Sequence, residues 1–263
     1  MRVWLLALAC LAVAACDSEF SPGEVPSRAE RGMPEWVAPS FRLSERTARA
    51  PGFDDGTGVV AFTIGPRDCS RARPDRAPPD CATGTKRSTI VTGTQWEFGE
   101  RFLLSFEFNL DGALGAGAPA FDIARWRAGD DSAAVPFALT ADPRRGVTFL
   151  GRTCIPAEEM RGWHRFDMRV KWAGDATGYL EVRCHGSLYS GAPIYARSDF
   201  AVNRHPYCDR DGACGDGRGR VLNDLRMEIG VIRRGPLARD LTVRMRRIVE
   251  RQLTVVLNRV ENL

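Results

Sequence analysis

The sequence predicts an all-β protein, a sandwich of two antiparallel sheets, and two observations lead to this prediction. Apolar and polar residues alternate with a period of two over several short runs, and glycine, proline or aspartate separates these runs. No run before the ambiguous tail at 249–263 has the pattern of an amphipathic helix, and there is no internal repeat. A chain of 263 residues suits one large all-β domain or two smaller ones.

Each predicted strand is a run in which one set of alternate residues is apolar. Four apolar residues occupy every second position between 102 and 108. In the run from 163 to 172, Phe166, Met168 and Val170 alternate with charged residues. Such a pattern is typical of strands with one face in a core and one face in water. The predicted strands are 59–64, 101–108, 163–172, 179–183, 225–232 and 241–245.

The charge composition argues against a nucleic-acid protein, because 37 basic and 33 acidic residues give a net charge of only +4. Lys86 and Lys171 are the two lysines, so the other basic residues are all arginine. A GC-rich genome would also produce this bias. In either case, arginine binds carboxylate and sulfate groups with two parallel hydrogen bonds, which lysine does not.

The N-terminus has the pattern of an export signal. Arg2 precedes thirteen apolar residues at 3–15, too few for a membrane span, which needs about 20. The run ends with Val-Ala-Ala before Cys16 and so resembles a bacterial lipobox. The sequence predicts a signal peptide at 1–15, a flexible tether at 16–50 carrying lipid on Cys16, and a sandwich domain at 51–263. The chain would be an exported, membrane-anchored lipoprotein of a bacterial envelope, and an ordinary signal peptide is the alternative.

Six cysteines remain after Cys16, and an even number in an exported chain indicates three disulfides. Fifteen connectivities are open. Pairing between neighbours is favoured, because each such pair brackets a turn-rich or hairpin-like segment. No Cys-x-x-Cys occurs, which argues against zinc binding and thiol redox chemistry. The favoured pairs are Cys69–Cys81, Cys154–Cys184 and Cys208–Cys214.

The segment 162–186 resembles a known family. It has W-H-R-F at 163–166, V-K-W at 170–172 and T-G-Y-L-E-V at 177–182. This order is similar to a hairpin of the heparin-lyase-type polysaccharide lyases, with W-x-(D/R)-F, then (I/V)-K-W, then D-G-x-L-E-V. The resemblance extends over about 55–248. It implies a concanavalin-like β-jelly roll of two curved antiparallel sheets with a concave groove, and cleavage of uronic-acid polysaccharides by β-elimination.

The family carries its chemistry on three strands, and this sequence changes all three motifs. β-Elimination requires a group that neutralises the uronate carboxylate, a base for the C5 proton and an acid for the leaving oxygen. The motif R-S-E-L-R becomes R-S-T-I-V at 87–91, Q-x-H becomes R-W-R at 125–127, and Y-F-K-x-G-x-Y becomes R-M-E-I-G-V-I at 226–232. The resemblance therefore implies a groove that lacks the usual acid and base, and it leaves the catalytic residues unknown.

The altered motifs predict an anion-binding groove. Arg125 and Arg127 replace the amide and imidazole, while Glu228 replaces the lysine. We expect Glu228 to pair with one of these arginines, and Arg87 with the other to stay available for a substrate carboxylate or sulfate. Three unrelated surface residues are the alternative. The predicted substrate-binding residues are Arg87, Arg125, Arg127, Arg226 and Glu228.

Two classes of function stay open at this point. One is an exported polysaccharide lyase acting on an anionic glycan, and the other is a non-catalytic carbohydrate-binding envelope protein on the same scaffold. A jelly-roll glycoside hydrolase would need paired carboxylates in an E-x-D-x-x-E pattern, which the sequence does not contain. The expected partners are an anionic polysaccharide and, through the lipid, a membrane. We expect a monomer that binds no nucleic acid.

The remaining candidate residues have plainer interpretations. His164, His185 and His205 lack a partner motif, so hydrogen-bonded or exposed roles are favoured over catalysis. A loop at 186–210 could fold over the groove and contains tyrosines, for which a packing role is favoured over a role as acid or base. The segment 208–216 is rich in aspartate, but it fails the EF-hand pattern, so no cofactor is expected, with calcium as the alternative. The loop tyrosines are Tyr189, Tyr195 and Tyr207.

Overall fold

A computed structural model describes residues 33–71, 79–92, 96, 99–115, 117–128, 137–173, 175–185, 193–200 and 225–253. These residues form two antiparallel sheets of seven strands each, one short α-helix and one short 3₁₀ helix. Within these ranges, no helix is long and apolar enough to cross a membrane. The α-helix, α1, is Asp80–Thr83, and the 3₁₀ helix is Ala157–Glu159.

The two sheets pack face to face, and strands distant in the chain are neighbours in each sheet. In spatial order, sheet A contains β1 (Phe41–Leu43), β4 (Thr85–Thr92), β13 (Leu225–Arg234), β6 (Phe121–Ala128), β7 (Phe137–Asp142), β8 (Gly146–Phe149) and β9 (Arg152–Ile155). Sheet B contains β12 (Tyr195–Phe200), β11 (Gly178–His185), β10 (Trp163–Lys171), β5 (Arg101–Asn109), β14 (Leu241–Gln252), β3 (Val59–Ile64) and β2 (Gly52–Asp54). This arrangement is a β-jelly-roll sandwich, as the sequence predicts.

The core lies between the inner faces of the sheets and consists of the alternate apolar residues. Phe106 of β5 stacks on Phe166 of β10, with ring centroids 5.3 Å apart. Trp126 of β6 reaches across from sheet A and lies 5.9 Å from Phe166. All three side chains are fully buried, and such aromatic pairs stabilise a core beyond their buried area. The six predicted strands are all present, and β10 and β11 form the predicted hairpin.

One glycine is required where β13 passes close to β4. Gly230 has φ 138°, and a Cβ atom there would lie 2.2 Å from the carbonyl oxygen of Ser88. A side chain at this position would therefore push the two strands apart. The pairing between β13 and β6 shifts its register at this glycine, between Ile229 and Ile232.

The sandwich begins before the predicted boundary at residue 51. Val37 and Phe41 are buried in the core, and β1 pairs with β4 in sheet A. The prediction of a flexible tether is therefore wrong for residues 33–50, because an apolar anchor and ladder hydrogen bonds hold this segment on the sheet. The signal peptide and the lipidation of Cys16 lie outside the described residues and stay predictions.

Two of the three predicted disulfides are present. Cys69 bonds to Cys81 with Cα atoms 5.0 Å apart, and Cys154 bonds to Cys184 with Cα atoms 5.3 Å apart. The hairpin-like segment between Cys154 and Cys184 predicts that this disulfide holds adjacent strands together, and that prediction is wrong. The disulfide joins β9, at the edge of sheet A, to β11 of sheet B, and so links the two layers. The pair Cys208–Cys214 lies outside the described residues.

Candidate functional site

Three adjacent strands of sheet A carry the predicted site residues on one face. The register pairs Glu228 of β13 with Arg125 of β6, and Arg226 with Arg127. Trp126 and Met227 lie between these positions and point into the core. Because side chains alternate along a strand, the four charged residues lie on the opposite face, which we call the outer face of sheet A. The register thus brings these residues to one face, as the strand pattern predicts.

Glu228 is the centre of this face and has no exposed surface. Its carboxylate accepts hydrogen bonds from Arg87 Nη1 at 3.0 and 3.1 Å and from the Thr89 hydroxyl at 2.7 Å. Arg127 Nε lies 3.3 Å from Glu228 Oε2. Burial alone would raise the pKa of Glu228, but the charges of Arg87 and Arg127 and the Thr89 hydrogen bond lower it to about 2. The group is therefore ionised throughout the neutral range.

Arg87 is held from its other side by Asp80. Arg87 Nε lies 2.5 Å from Asp80 Oδ2, and Nη2 donates to Oδ1 at 2.9 Å, which is the bidentate geometry of a strong arginine–carboxylate pair. Arg46 Nη1 lies 3.6 Å from the same carboxylate. Asp80 begins α1 next to the disulfide-bonded Cys81, and Arg46 follows β1 at the sheet edge. We call these five residues (Arg46, Asp80, Arg87, Arg127 and Glu228) the ionic cluster.

The ionic cluster corrects one sequence prediction. Glu228 does pair with an arginine, but it holds both Arg87 and Arg127 rather than one of them. Arg87 is not available for a substrate, because its guanidinium contacts two carboxylates and is only 3% exposed. Burial would lower the pKa of Arg87, but the charges of Glu228 and Asp80 outweigh burial and raise it. Arg87 is therefore a permanently charged structural centre of the site.

Arg125 and Arg226 lie beside the cluster and differ in their contacts. Arg125 Nε donates to Asp122, whose other oxygen accepts a hydrogen bond from the Thr140 hydroxyl. Arg226 stands directly across from Arg127 and is partly exposed. Its Nε is buried and has no hydrogen-bond partner within the described residues. Arg226 is thus the predicted site arginine without a carboxylate partner in the described part of the chain.

The site has a surplus of positive charge. Five arginines (Arg46, Arg87, Arg125, Arg127 and Arg226) face three carboxylates (Asp80, Asp122 and Glu228) in and around the cluster. Sequence reasoning missed Arg46, Asp80 and Asp122. Arg46 and Asp80 come from segments without a period-two pattern, and the one signal near Asp80 is the adjacent Cys81.

The same face offers no group suited to proton transfer among the described residues. A base for a uronate C5 proton needs a pKa near the working pH, whereas Glu228 has a pKa of about 2 and is fully buried. Arginine stays protonated in proteins. The described histidines and tyrosines lie on strands of sheet B instead. Among the described residues, this face offers cations suited to an anion and no acid–base pair.

The other candidate residues lie away from the site or outside the described residues. His164 is buried in sheet B, where its Nε2 lies 3.0 Å from the carbonyl oxygen of Arg161. Tyr195 lies on β12 and packs against the core, which is the role that the sequence favours for it. Among the described residues, no group of histidine, cysteine and carboxylate side chains is arranged to hold a metal ion. The segment 208–216, Tyr189, Tyr207, His205 and the His185 side chain are not described.

Similar solved structures share the fold at very low sequence identity. A variant of the family 7 alginate lyase A1-II′, in complex with its substrate GGMG, is 8% identical with a TM-score of 0.50, covering 81% of this chain and 92% of that chain. An endo-β-1,4-glucuronan lyase from the fungus Trichoderma reesei is 15% identical with a TM-score of 0.48, covering 80% and 86%.

The catalytic domain of a glycoside hydrolase family 131 protein from Coprinopsis cinerea is 9% identical with a TM-score of 0.46, covering 82% and 84%. No family model matches the sequence, and no curated protein matches it. At these identities the likeness shows the jelly-roll fold and leaves the reaction open, because one fold can carry many activities.

Proposed function

We propose that this protein binds an anionic, uronate-containing polysaccharide on the outer face of sheet A and does not cleave it. The observation that carries the proposal is Arg226, which lies directly across from Arg127 of the ionic cluster. Glu228 already pairs with Arg127, so the charge of Arg226 is the one on these two strands that an external anion would balance. A uronate carboxylate supplies such an anion in a planar form that matches the guanidinium fork.

The ligand class is supported by one similar structure as well as by charge. The protein with the TM-score of 0.50 is named as a lyase of alginate, which is a uronate polymer. The hairpin at 163–182 points to the related heparin-lyase type, whose members also act on uronic-acid polysaccharides. A surplus of arginine across β4, β13 and β6 fits such a polymer better than a neutral glucan.

Binding without cleavage is supported by the chemistry of the same strands. At the positions where the lyase motifs have glutamine, histidine and lysine, this chain has Arg125, Arg127 and Glu228. Glu228 is occupied by Arg87 and Arg127 and has a pKa of about 2, so it is a poor base. β-Elimination is the second candidate function, because the fold is shared with an enzyme of that class.

We further propose that the chain is an exported lipoprotein. The predicted signal peptide and Cys16 support a membrane anchor, and two disulfides are typical of proteins outside the cytosol. The intact mass of the exported protein tests this proposal, with a diacyl or triacyl adduct on Cys16 expected. A mature chain without lipid would contradict it.

A panel of polysaccharides tests the function. Polymannuronate, polyguluronate, polyglucuronate and heparin are titrated into the protein alongside a neutral glucan, and each mixture is also followed for the ultraviolet absorbance of an unsaturated uronate product. We expect at least one acidic polymer to bind, with affinity that falls as salt rises, and no absorbance to develop. Growth of the absorbance would support β-elimination instead, and no binding to any acidic polymer would overturn the proposal.

Matched arginine variants connect the binding to the site. Arg226→Ala should weaken binding of the acidic polymer about tenfold, the loss expected for a charge-assisted hydrogen bond. Arg234→Ala removes an exposed arginine at the other end of β13 and serves as the control. If the two variants weaken binding equally, the polysaccharide does not bind at Arg226.

A further inference from the structure

A cleft lies on the outer face of sheet B, on the opposite side of the sandwich from the ionic cluster. Its volume is about 530 Å³, and its lining comes from β2, β3, β14, the start of β10 and the turn after β2. Small-molecule sites typically measure about 300–1,000 Å³, so the space suits a ligand of sugar size.

Small residues on adjacent strands create the cleft. Gly52 of β2 pairs with Ala61 of β3, and Ala61 pairs with Arg244 of β14, so these three side-chain positions form one row across the sheet. The next row contains Val59, between Asp54 and Arg246. A Cβ atom on Gly52 would meet nothing within 4 Å. The floor of the cleft is therefore apolar and made of small side chains, and longer side chains project from the strands on both sides.

Two arginines form one wall. The Arg246 guanidinium carbon lies 4.1 Å from the centroid of the Trp163 ring, and Arg246 Nε donates to Glu107 at 2.6 Å. These two contacts fix the guanidinium in place, which lowers the entropy cost of binding an anion. Arg244 is exposed on the same wall. Arg244 forms no hydrogen bond or ion pair within the part of the chain that the structure describes. Its positive charge contributes to the lowered pKa of Asp111.

The opposite wall carries an acceptor of hydrogen bonds. The Asp54 carboxylate accepts from the backbone N–H of Gly56 at 3.1 Å and from the Thr57 hydroxyl at 2.6 Å, which holds it at the rim. Strands β2 and β14 are two strand spacings apart, roughly 10 Å. A ligand in the cleft thus meets two cations on one side and a carboxylate acceptor on the other. An anion without hydroxyl groups cannot donate a hydrogen bond to Asp54. A sugar acid can bind the arginines through its carboxylate and donate hydrogen bonds from its hydroxyl groups to Asp54.

We propose that this cleft is a second binding site for a single hexuronate unit, with the sugar carboxylate on Arg244 and Arg246 and hydroxyl groups toward Asp54. The ligand class rests on the proposed function, since an acidic polysaccharide bound at sheet A would also supply hexuronate units here. The two sites face away from each other, so one short oligosaccharide cannot occupy both. On a polymer, the second site raises avidity or joins two polysaccharide chains.

Calorimetric titration of the full chain with trimannuronate tests this site, with trimannose as the neutral probe. We expect two trimannuronate molecules per wild-type chain and no binding of trimannose. Gly52→Phe places a ring in the open space above the floor and should reduce the stoichiometry to one. Arg244→Ala should raise the Kd of one site about tenfold. Arg251→Ala removes an exposed arginine further along β14 and should change neither value.

The outcomes separate the cleft from the outer face of sheet A. An unchanged stoichiometry and unchanged Kd values in Gly52→Phe and Arg244→Ala, both melting at the wild-type temperature, would overturn the second site. One site weakened or lost only in Arg226→Ala would overturn the cleft and leave the proposed function intact. One site weakened or lost only in the two cleft variants would support the cleft and overturn binding on the outer face of sheet A. No trimannuronate binding by the wild type would overturn the second site.

Discussion

The outer faces of the two sheets both carry arginine–carboxylate pairs, but they differ in burial. On sheet A, Glu228 is fully buried and holds two buried or nearly buried arginines. On sheet B, Glu107 and Glu181 pair with arginines that reach into solvent, among them Arg247 with 70% of its side chain exposed. Buried charges depend strongly on their partners, whereas exposed pairs contribute little. The comparison teaches that the ion pairs of sheet A stabilise the fold, whereas the ion pairs of sheet B contribute little to stability.

Removing the central charge of sheet A should have the largest effect. Glu228→Gln keeps the size of the side chain but removes the buried counter-charge of Arg127 and one of the two carboxylates that hold Arg87, and it should lower the free energy of unfolding by about 3–5 kcal/mol. Urea unfolding at neutral pH measures the loss. A loss below about 1 kcal/mol would mean that the cluster is far better hydrated than its burial indicates.

The disulfide that joins the two sheets should contribute slightly less. Cys154 and Cys184 are 30 residues apart, and the chain-entropy model gives between about 3 and 4 kcal/mol for a loop of that length. The double variant Cys154→Ala/Cys184→Ala should therefore unfold at lower urea concentration, with the disulfide Cys69–Cys81 intact as the internal control. If peptide mapping of the wild type finds free thiols at these two positions, the link between the layers does not exist in solution.

Acid should weaken the protein through Glu228. Its pKa is about 2 in the folded chain and near 4.5 when unfolded, so folding favours the ionised form. The resulting stabilisation is complete above about pH 4.5 and is lost as the pH falls toward 2, by roughly 3 kcal/mol. Unfolding measured between pH 6 and pH 2 should show this decline, and the decline should shrink in Glu228→Gln. An equal acid sensitivity in both proteins would assign the effect to other carboxylates.

The matching change on sheet B should have the smallest effect. Glu181 accepts hydrogen bonds from Arg183 Nε and from the Tyr179 hydroxyl, but Arg183 is partly exposed. Glu181→Gln should therefore change the free energy of unfolding by about 1 kcal/mol or less. A loss as large as that of Glu228→Gln would remove the distinction between the two faces.

The sequence predicts the sandwich well and the ionic cluster poorly, for physical reasons. Strands such as β5 and β10 lie half in the core, and that position imposes the period-two pattern that identifies them. The register also follows from this pattern, which is why Arg125, Arg127 and Glu228 share a face as expected. The closure of the cluster by Arg46 and Asp80 could not be predicted. It depends on how a sheet edge and a disulfide-bonded turn fold over β4, and no local pattern encodes that contact.

The arginine side-chain NMR signals during a titration with an acidic oligosaccharide test the central claim most directly. The account predicts that the Nε–H signal of Arg226, assigned by its loss in Arg226→Lys, shifts on binding. The signal of Arg87 should stay in place, because that guanidinium is already held by Asp80 and Glu228. A shift of the Arg87 signal, or binding that leaves the Arg226 signal unchanged, would contradict the account.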